Sequence, residues 1–568
     1  MAATALINVH HLSTQANCTE DSDEPSVAQQ KYAKHLLDAL VALEYAAGKS
    51  RWAYSMRLLL VRLHRLLGSS GLAMQNFTMA NLKSIQFDTL SHHILDRAST
   101  FSLASVGDLT LVNECVESSQ IYGIHGNEVS EQLVKAFQYE RYSQIAEFVL
   151  LEEKVDNSLQ RDLTKLEHFR MKNIHEGLTP ESVEVELVEL RFVWGRVHHD
   201  NRDFETLSNM LPRGSPSLDE LTSVGGKKLS ESWFRTMLQL WILVLHQTSE
   251  QLWTEEEQVT VRPKLLTFSD EALQELTPAE RLLVKYGRAL IAWLEPHHTP
   301  IKHSVMTSAV STLATAKEKY AASTANGTAN PSASAASSAN TPSSGKSKSG
   351  ANRKPNGLSN GTEGTAASSG EGGLGVKVGD MKVFTGMLTL HEPMEVPPMP
   401  KDMGEAVKEP PQDISTILDE LQSLFDETIA KPSALPWEHL HVAQIAHEVV
   451  FLTHLLTARF ALAGGKKKTH PTFKPLRAKS ISLLDHVAKV ITKLGQDANF
   501  SAETRQSWIQ DRRASGVLHE LTDSDIAQVG RKYVESKKSM LEQLGKGLTK
   551  AQQSIAKTAA GVPAGSTQ

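Results

Sequence analysis

Over its first three hundred residues the chain keeps repeating one pattern, apolar side chains that return every three or four positions between short polar turns. That period makes amphipathic helices, and each such helix must bury a stripe against a neighbour. Residues 27–47 set Leu36, Leu37, Leu40, Val41 and Leu43 on one broad stripe. Residues 52–67 do the same with Met56, Leu59, Leu60, Leu63, Leu66 and Leu67, and Gly68 stands where a helix C-cap glycine would. Further helices are expected over 71–82, 86–98, 108–122, 127–140, 142–172, 180–200, 229–252 and 270–296. Asp108, Asn127, Thr179-Pro180 and Ser269-Asp270 offer caps for their starts. Alternating strand patterns are scarce. The exception, VKVGDMKVFTGMLTL at 376–390, reads as a partly ordered linker rather than a strand pair.

The composition then changes. From 321 to 373 the chain is Ala, Ser, Gly, Asn and Thr with almost no large apolar residue. Such a segment buries too little surface to offset its ordering entropy and is expected to be disordered. Residues 391–412 are Pro-rich, an extended connector. Helical patterns resume at 414–430, 436–463, 475–495, 502–513 and 524–556. The expected organisation is a poorly ordered N-terminus (1–26), a tetratricopeptide-like helical array (27–320), a disordered and Pro-rich linker (321–412), a C-terminal helical segment (413–557) and a disordered tail (558–568). The fold class is therefore all-α, a solenoid of helical hairpins, which explains how 568 residues avoid dividing into several separate domains.

Repeat spacing supports the hairpin reading. Tetratricopeptide repeats need small residues in the second helix where the first approaches closely, with a ring between them. Ala73, Phe77 and Ala80 match that A-x3-F-x2-A pattern, with Gly68 in the turn and Leu60 in the first-helix packing position. Arg57, Val61 and Ile85 depart from the usual Trp, Gly and Pro. A weaker copy follows, with Leu133 and Phe137 in its first helix and Ala146 and Leu150 in its second.

Catalytic and metal motifs do not emerge. No CxxC or HExxH is present. His447 and His454 of the histidine-rich stretch at 439–454 are two helical turns apart, about 10 Å, too far to share one ion. No GxxxxGK[ST] or GxSxG occurs, and the glycines Gly373 and Gly375 lack a strand-to-helix context. Cys18 and Cys115 cannot build a disulfide framework, Cys115 reads as a small core residue, and the N-terminus has no secretory signal pattern. No apolar run approaches the roughly 20 residues that span a bilayer. These features point to a soluble cytoplasmic protein with no membrane or DNA partner and no cofactor. Lys plus Arg number 59 against 65 for Asp plus Glu, which argues against a uniformly basic nucleic-acid binder. A local basic tract stands out, GGKKKTHPTFKPLRAKS, gathering Lys466, Lys467, Lys468, Lys474, Arg477 and Lys479. It reads either as a solvated loop or as a patch for a polyanion such as ribosomal RNA. The last helix adds Arg531, Lys532, Lys537, Lys538, Lys546, Lys550 and Lys557, diluted by Glu535 and Glu542.

Two segments carry a family resemblance, 57–97 (with LKSIQFDTLSH at 82–92) and 127–167 (with KVDNSLQ at 154–160). Together they resemble the auxiliary, non-catalytic subunit of the N-terminal acetyltransferase B (NatB) complex. The resemblance extends over 30–300 and is only positional beyond. It implies a tetratricopeptide-like superhelix that wraps a GNAT-type catalytic subunit and helps dock it at the ribosome. The complex would acetylate nascent chains beginning Met-Asp, Met-Glu, Met-Asn or Met-Gln. Acetyl-CoA would bind the catalytic partner. In agreement, the nearest string here to the [QR]-x-x-G-x-[GA] pyrophosphate motif, Arg513 to Leu518, ends in Leu and follows no strand. Family members are considerably longer, with many more repeats ahead of the matching region, so the chain is expected to correspond to the C-terminal half of the pattern. Solenoid physics by itself equally suits a scaffold of another cytoplasmic assembly.

Overall fold

The computed structural model describes residues 1–16, 33–50, 52–102, 110–175, 180–207, 215–249, 253–295, 409–458, 461–462, 468–469 and 471–559. All of them belong to one compact unit, formed by residues 1–309 and 392–568. The second unit, 310–391, lies outside the described residues, as do residues 321–408 of the expected 321–412 linker, with the strand-like stretch at 376–390.

The longer helices are α1 (Ala2–Ala16), α2 (Lys34–Lys49), α3 (Tyr54–Leu66), α4 (Ser70–Ala80), α5 (Thr110–Gln138), α6 (Tyr142–Asp156), α7 (Leu159–His175) and α8 (Pro180–Trp194). They continue as α9 (Glu231–Thr248), α10 (Pro278–Leu294), α11 (Gln412–Ala430), α12 (Pro436–Ala458), α13 (Lys474–Asp497), α14 (Ala502–Arg513) and α15 (Asp523–Ala559). Among the described residues the β structure is one two-residue ladder, Ala461–Leu462 against Lys468–Thr469, and a single bridge between Ser158 and His199. The fold is all-α.

Helices close in sequence pack on one another: α1 on α2, α3 on α4, α5 on α6 and on α7, and α8 on α9. The chain then returns on itself. α12 packs against α10, α9 and the short helix at 98–102, and α15 against α13, α2 and α4. The core follows the apolar stripes, with Leu36, Leu40, Leu60, Leu63, Trp233, Trp241, Phe425 and Leu544 all buried.

Several helix boundaries differ from the sequence expectation. The patterns at 108–122 and 127–140 form the single helix α5. Asn127 is inside it rather than capping a new helix, and Gly123 and Gly126, each costing only about 1 kcal/mol, do not break it. The expected helix 142–172 breaks at Asn157-Ser158. There the His199 N–H donates to the Asn157 carbonyl (2.7 Å) and the Leu159 N–H to the His199 carbonyl (2.9 Å), which holds the chain out of helical register. The stretch 86–98 is broken into two short helices, Gln86–Leu90 and His92–Leu95, and the start of a third, Ala98–Ser102. The pattern at 270–296 splits before α10, because Thr277 and Glu280 form a capping box with Pro278 in the first turn. Ser269 does cap, accepting from the Ala272 N–H at 3.1 Å. Asp108 and Thr179 lie outside the described residues.

Candidate partner-binding surface

The repeat positions of the first hairpin are packed. Leu60, Ala73, Phe77 and Ala80 are all buried. Gly68 turns the chain with φ +73°, and a Cβ there would come within 2.9 Å of the Pro436 side chain at the start of α12. A side chain would therefore strain the turn and push away a helix from the far end of the sequence.

The second copy is placed differently, and its expected packing role is corrected. Phe137 is 59% exposed and Leu150 55% exposed, Ala146 is exposed and Leu133 half-buried. The pattern is apolar, but no element described in this chain covers that face. α6 packs substantially on α5 alone.

What fixes the relation between distant helices is a set of buried ion pairs. Arg97 donates through Nε to Glu280 Oε1 (3.0 Å) and through Nη2 to Glu280 Oε2 (3.3 Å), and through Nη1 to the Val224 carbonyl (2.6 Å). Arg170 bridges two carboxylates, Glu167 (2.6 Å) and Glu448 (2.8 and 3.0 Å), and so joins α7 to α12. Glu167 also accepts from the Ser99 N–H at 2.8 Å. Arg62 pairs with Asp219 and donates to the Ser223 hydroxyl (2.6 Å). His441 sits between the Thr100 (3.1 Å) and Thr277 (2.9 Å) hydroxyls. Burial alone would raise the Glu280 carboxyl, but Arg97, His441 and the Thr277 N–H hold it well below the usual carboxylate range. Burial pushes His441 down to about 4, so it is neutral at pH 7.

Sequence reasoning missed this network. One signal was available: charged residues such as Arg62, Arg170 and Glu280 fall on helix faces whose neighbours are buried leucines.

The remaining candidates are placed as follows. Among the described residues no group of three or more His, Cys, Asp or Glu is arranged to hold a metal ion, and no helix is long and apolar enough to cross a membrane. Cys115 is buried, and burial pushes its thiol up. In the string nearest the pyrophosphate motif, the Arg513 guanidinium is engaged by Asp523 (2.7 Å) and the Leu518 carbonyl (3.0 Å), closing its own loop.

The basic tract is not one surface. Lys466 and Lys467 lie outside the described residues, and Lys468 is described by its backbone alone. Lys474 is exposed. Arg477 is buried against His454 Nδ1, and burial lowers it to about 10. Lys479 is tied to Asp419 (2.6 Å) and the Ser415 hydroxyl (2.7 Å) on α11. Arg477 and Lys479 therefore serve packing between helices, which corrects their reading as polyanion contacts. On α15, Arg531, Lys532, Lys546 and Lys550 are exposed.

With this geometry established, the chain can be compared with known proteins. Residues 1–209 match the family model of the N-acetyltransferase B complex (NatB) non catalytic subunit. Over 187 residues the chain is 30% identical to the N-terminal acetyltransferase B complex subunit arm1 of Schizosaccharomyces pombe, which covers 33% of this chain and 22% of that protein. Over 207 residues it is 25% identical to the N-alpha-acetyltransferase 25, NatB auxiliary subunit, of Rattus norvegicus, covering 34% of this chain and 20% of the relative. A solved NatB acetyltransferase complex bound to CoA and MES contains a chain that superposes with a TM-score of 0.49 at 10% identity, over 94% of this chain and 54% of that one. The matched stretches thus span about a fifth of the length of these relatives.

Proposed function

We propose that this chain, which over its first 209 residues resembles NatB non-catalytic subunits, is a scaffold that holds a GNAT-type catalytic subunit and helps dock it at the ribosome. The observation that carries the reading is the family match itself, on the segment whose first hairpin packs with tetratricopeptide-like spacing. The site chemistry agrees. Buried charged side chains such as Arg97 with Glu280 and Arg170 with Glu448 pair across helices and tie them together. An all-α body of this kind supplies shape, and the acetyl transfer belongs to its partner. On this reading the complex works in the cytoplasm on nascent chains beginning Met-Asp, Met-Glu, Met-Asn or Met-Gln.

Ribosome docking would use the exposed Lys474 and the exposed cations of α15, together with the lysines of the tract at 466–468. The test is co-expression with a NatB-type GNAT subunit. The expected result is a stable complex that acetylates Met-Asp and Met-Asn peptides, with the isolated chain inactive. A chain that retains ribosomes or other helical scaffolds but never such a subunit would remove the reading.

A further inference from the structure

The α5–α6 hairpin holds an apolar face that this chain's described elements leave uncovered. On α6 one stripe, Ile145, Phe148, Glu152 and Val155, turns toward α5 and is half-buried or buried. A second stripe, Tyr142, Ala146, Val149 and Leu150 at i, i+4, i+7 and i+8, is exposed. Val134 and Phe137 on α5 are exposed as well, and the Phe137 and Tyr142 rings stand edge to face at 6.2 Å.

A 15-residue helix with a single fully buried residue, Val155, is marginal by its own propensity. The face is also tied to the body. The Arg196 guanidinium lies 5.5 Å over the exposed Phe192 ring of α8 and donates to the Asp156 carbonyl at the end of α6. Aromatic and arginine side chains around an apolar centre are what protein interfaces enrich. The rim selects the partner's charge. From 131 to 156 the chain carries six carboxylates and three cations, so the complementary surface is apolar with a lysine- and arginine-rich border.

We propose that this face is a docking site for the catalytic acetyltransferase subunit, through an apolar patch on that subunit bordered by basic residues. The proposal rests on the scaffold function above, and the tests separate the two. Full-length chain is co-expressed with the NatB-type catalytic subunit and binding is measured by titration. Phe137→Ser with Leu150→Ser weakens binding about tenfold or more while helicity and melting temperature stay those of the wild type. A second variant, Glu147→Lys with Glu153→Lys, weakens binding and reduces its dependence on salt. Unchanged affinity in both variants overturns the docking site even if the wild type binds. A wild type that does not bind sinks the scaffold function itself. Sedimentation showing a self-associated wild type that Phe137→Ser with Leu150→Ser makes monomeric would assign the face to a second copy and overturn the proposal. If the serine variant fails to fold, the lysine variant decides.

Discussion

Replacing Glu280 with alanine should cost as much as truncating a large buried apolar side chain, and the reason is the cation it leaves behind. Glu280 accepts two hydrogen bonds from Arg97, accepts from the Thr277 N–H at 2.8 Å, and lies 3.8 Å from His441 Nε2. Its removal leaves the Arg97 guanidinium buried with only the Val224 carbonyl as acceptor. Breaking one side of a buried pair costs about 3–5 kcal/mol, and losing the capping interaction at α10 adds about 1 kcal/mol. Against a total stability of roughly 5–15 kcal/mol, Glu280→Ala removes a large share. Urea titration followed by far-UV circular dichroism measures it. The double variant Glu280→Gln with Arg97→Met keeps a cap acceptor and removes the cation, so it should recover about 2 kcal/mol or more relative to Glu280→Ala. The sign with pH follows from the depressed carboxyl. Its stabilisation is fully present above the unfolded value near 4.5 and is lost as pH falls from there toward the folded one. The gap between wild type and Glu280→Gln should therefore be constant from pH 7 to 5 and narrow below. A Glu280→Ala protein within 1 kcal/mol of wild type, or a double variant no better than the single, would refute the argument.

Four other outcomes are expected. Gly545 on α15 faces α13 so closely that a Cβ would clash with Thr492 Oγ1 and meet its Cα at 3.3 Å, so Gly545→Ala should destabilise by about 1–3 kcal/mol in thermal melts. Gly123→Ala in α5, with open space around it, should be neutral or stabilising by up to about 1 kcal/mol. His439 and His441, lowered to about 4, and His454, lowered to about 3, are each kept neutral chiefly by burial. Their stability contribution is present above the unfolded value of about 6.5 and is lost as pH falls below it, by up to about 1.4 kcal/mol per unit per histidine. A melting temperature that stays flat between pH 7 and 5.5 contradicts this. Lys466→Glu with Lys467→Glu and Lys468→Glu should reduce ribosome cosedimentation in a salt-dependent way, whereas Arg477→Ala should lower stability and leave cosedimentation of the folded protein unchanged, because the Arg477 side chain is buried against His454.

The first hairpin was legible at its small and aromatic positions, although Arg57, Val61 and Ile85 depart from the repeat pattern. Ala73, Phe77 and Ala80 have the right sizes at the right spacing, and the neighbour they need lies within the next turn of chain, so the pattern names both the buried residue and what buries it. Phe137, Ala146 and Leu150 obey the same spacing yet stand exposed. Periodicity reports that a side chain seeks burial and is silent on whether the covering surface comes from the same polypeptide. The charge network was illegible for a different reason. Arg170 meets Glu448 across 278 positions, and nothing local to either residue encodes the other. Arg477 and Lys479 failed for the same cause, since α12 supplies the partner of one and α11 that of the other. A lysine or arginine in a string carries its charge openly, but whether that charge faces solvent depends on which helix returns to it. In this fold the returning helices, α11 to α15, turn a stack of local hairpins into one body closed by long-range polar contacts. A body closed in that way holds its neighbouring helices in register, and α6 is a long helix with a single buried residue of its own, which is why a partner meeting α5 and α6 would gain burial without rearranging the core.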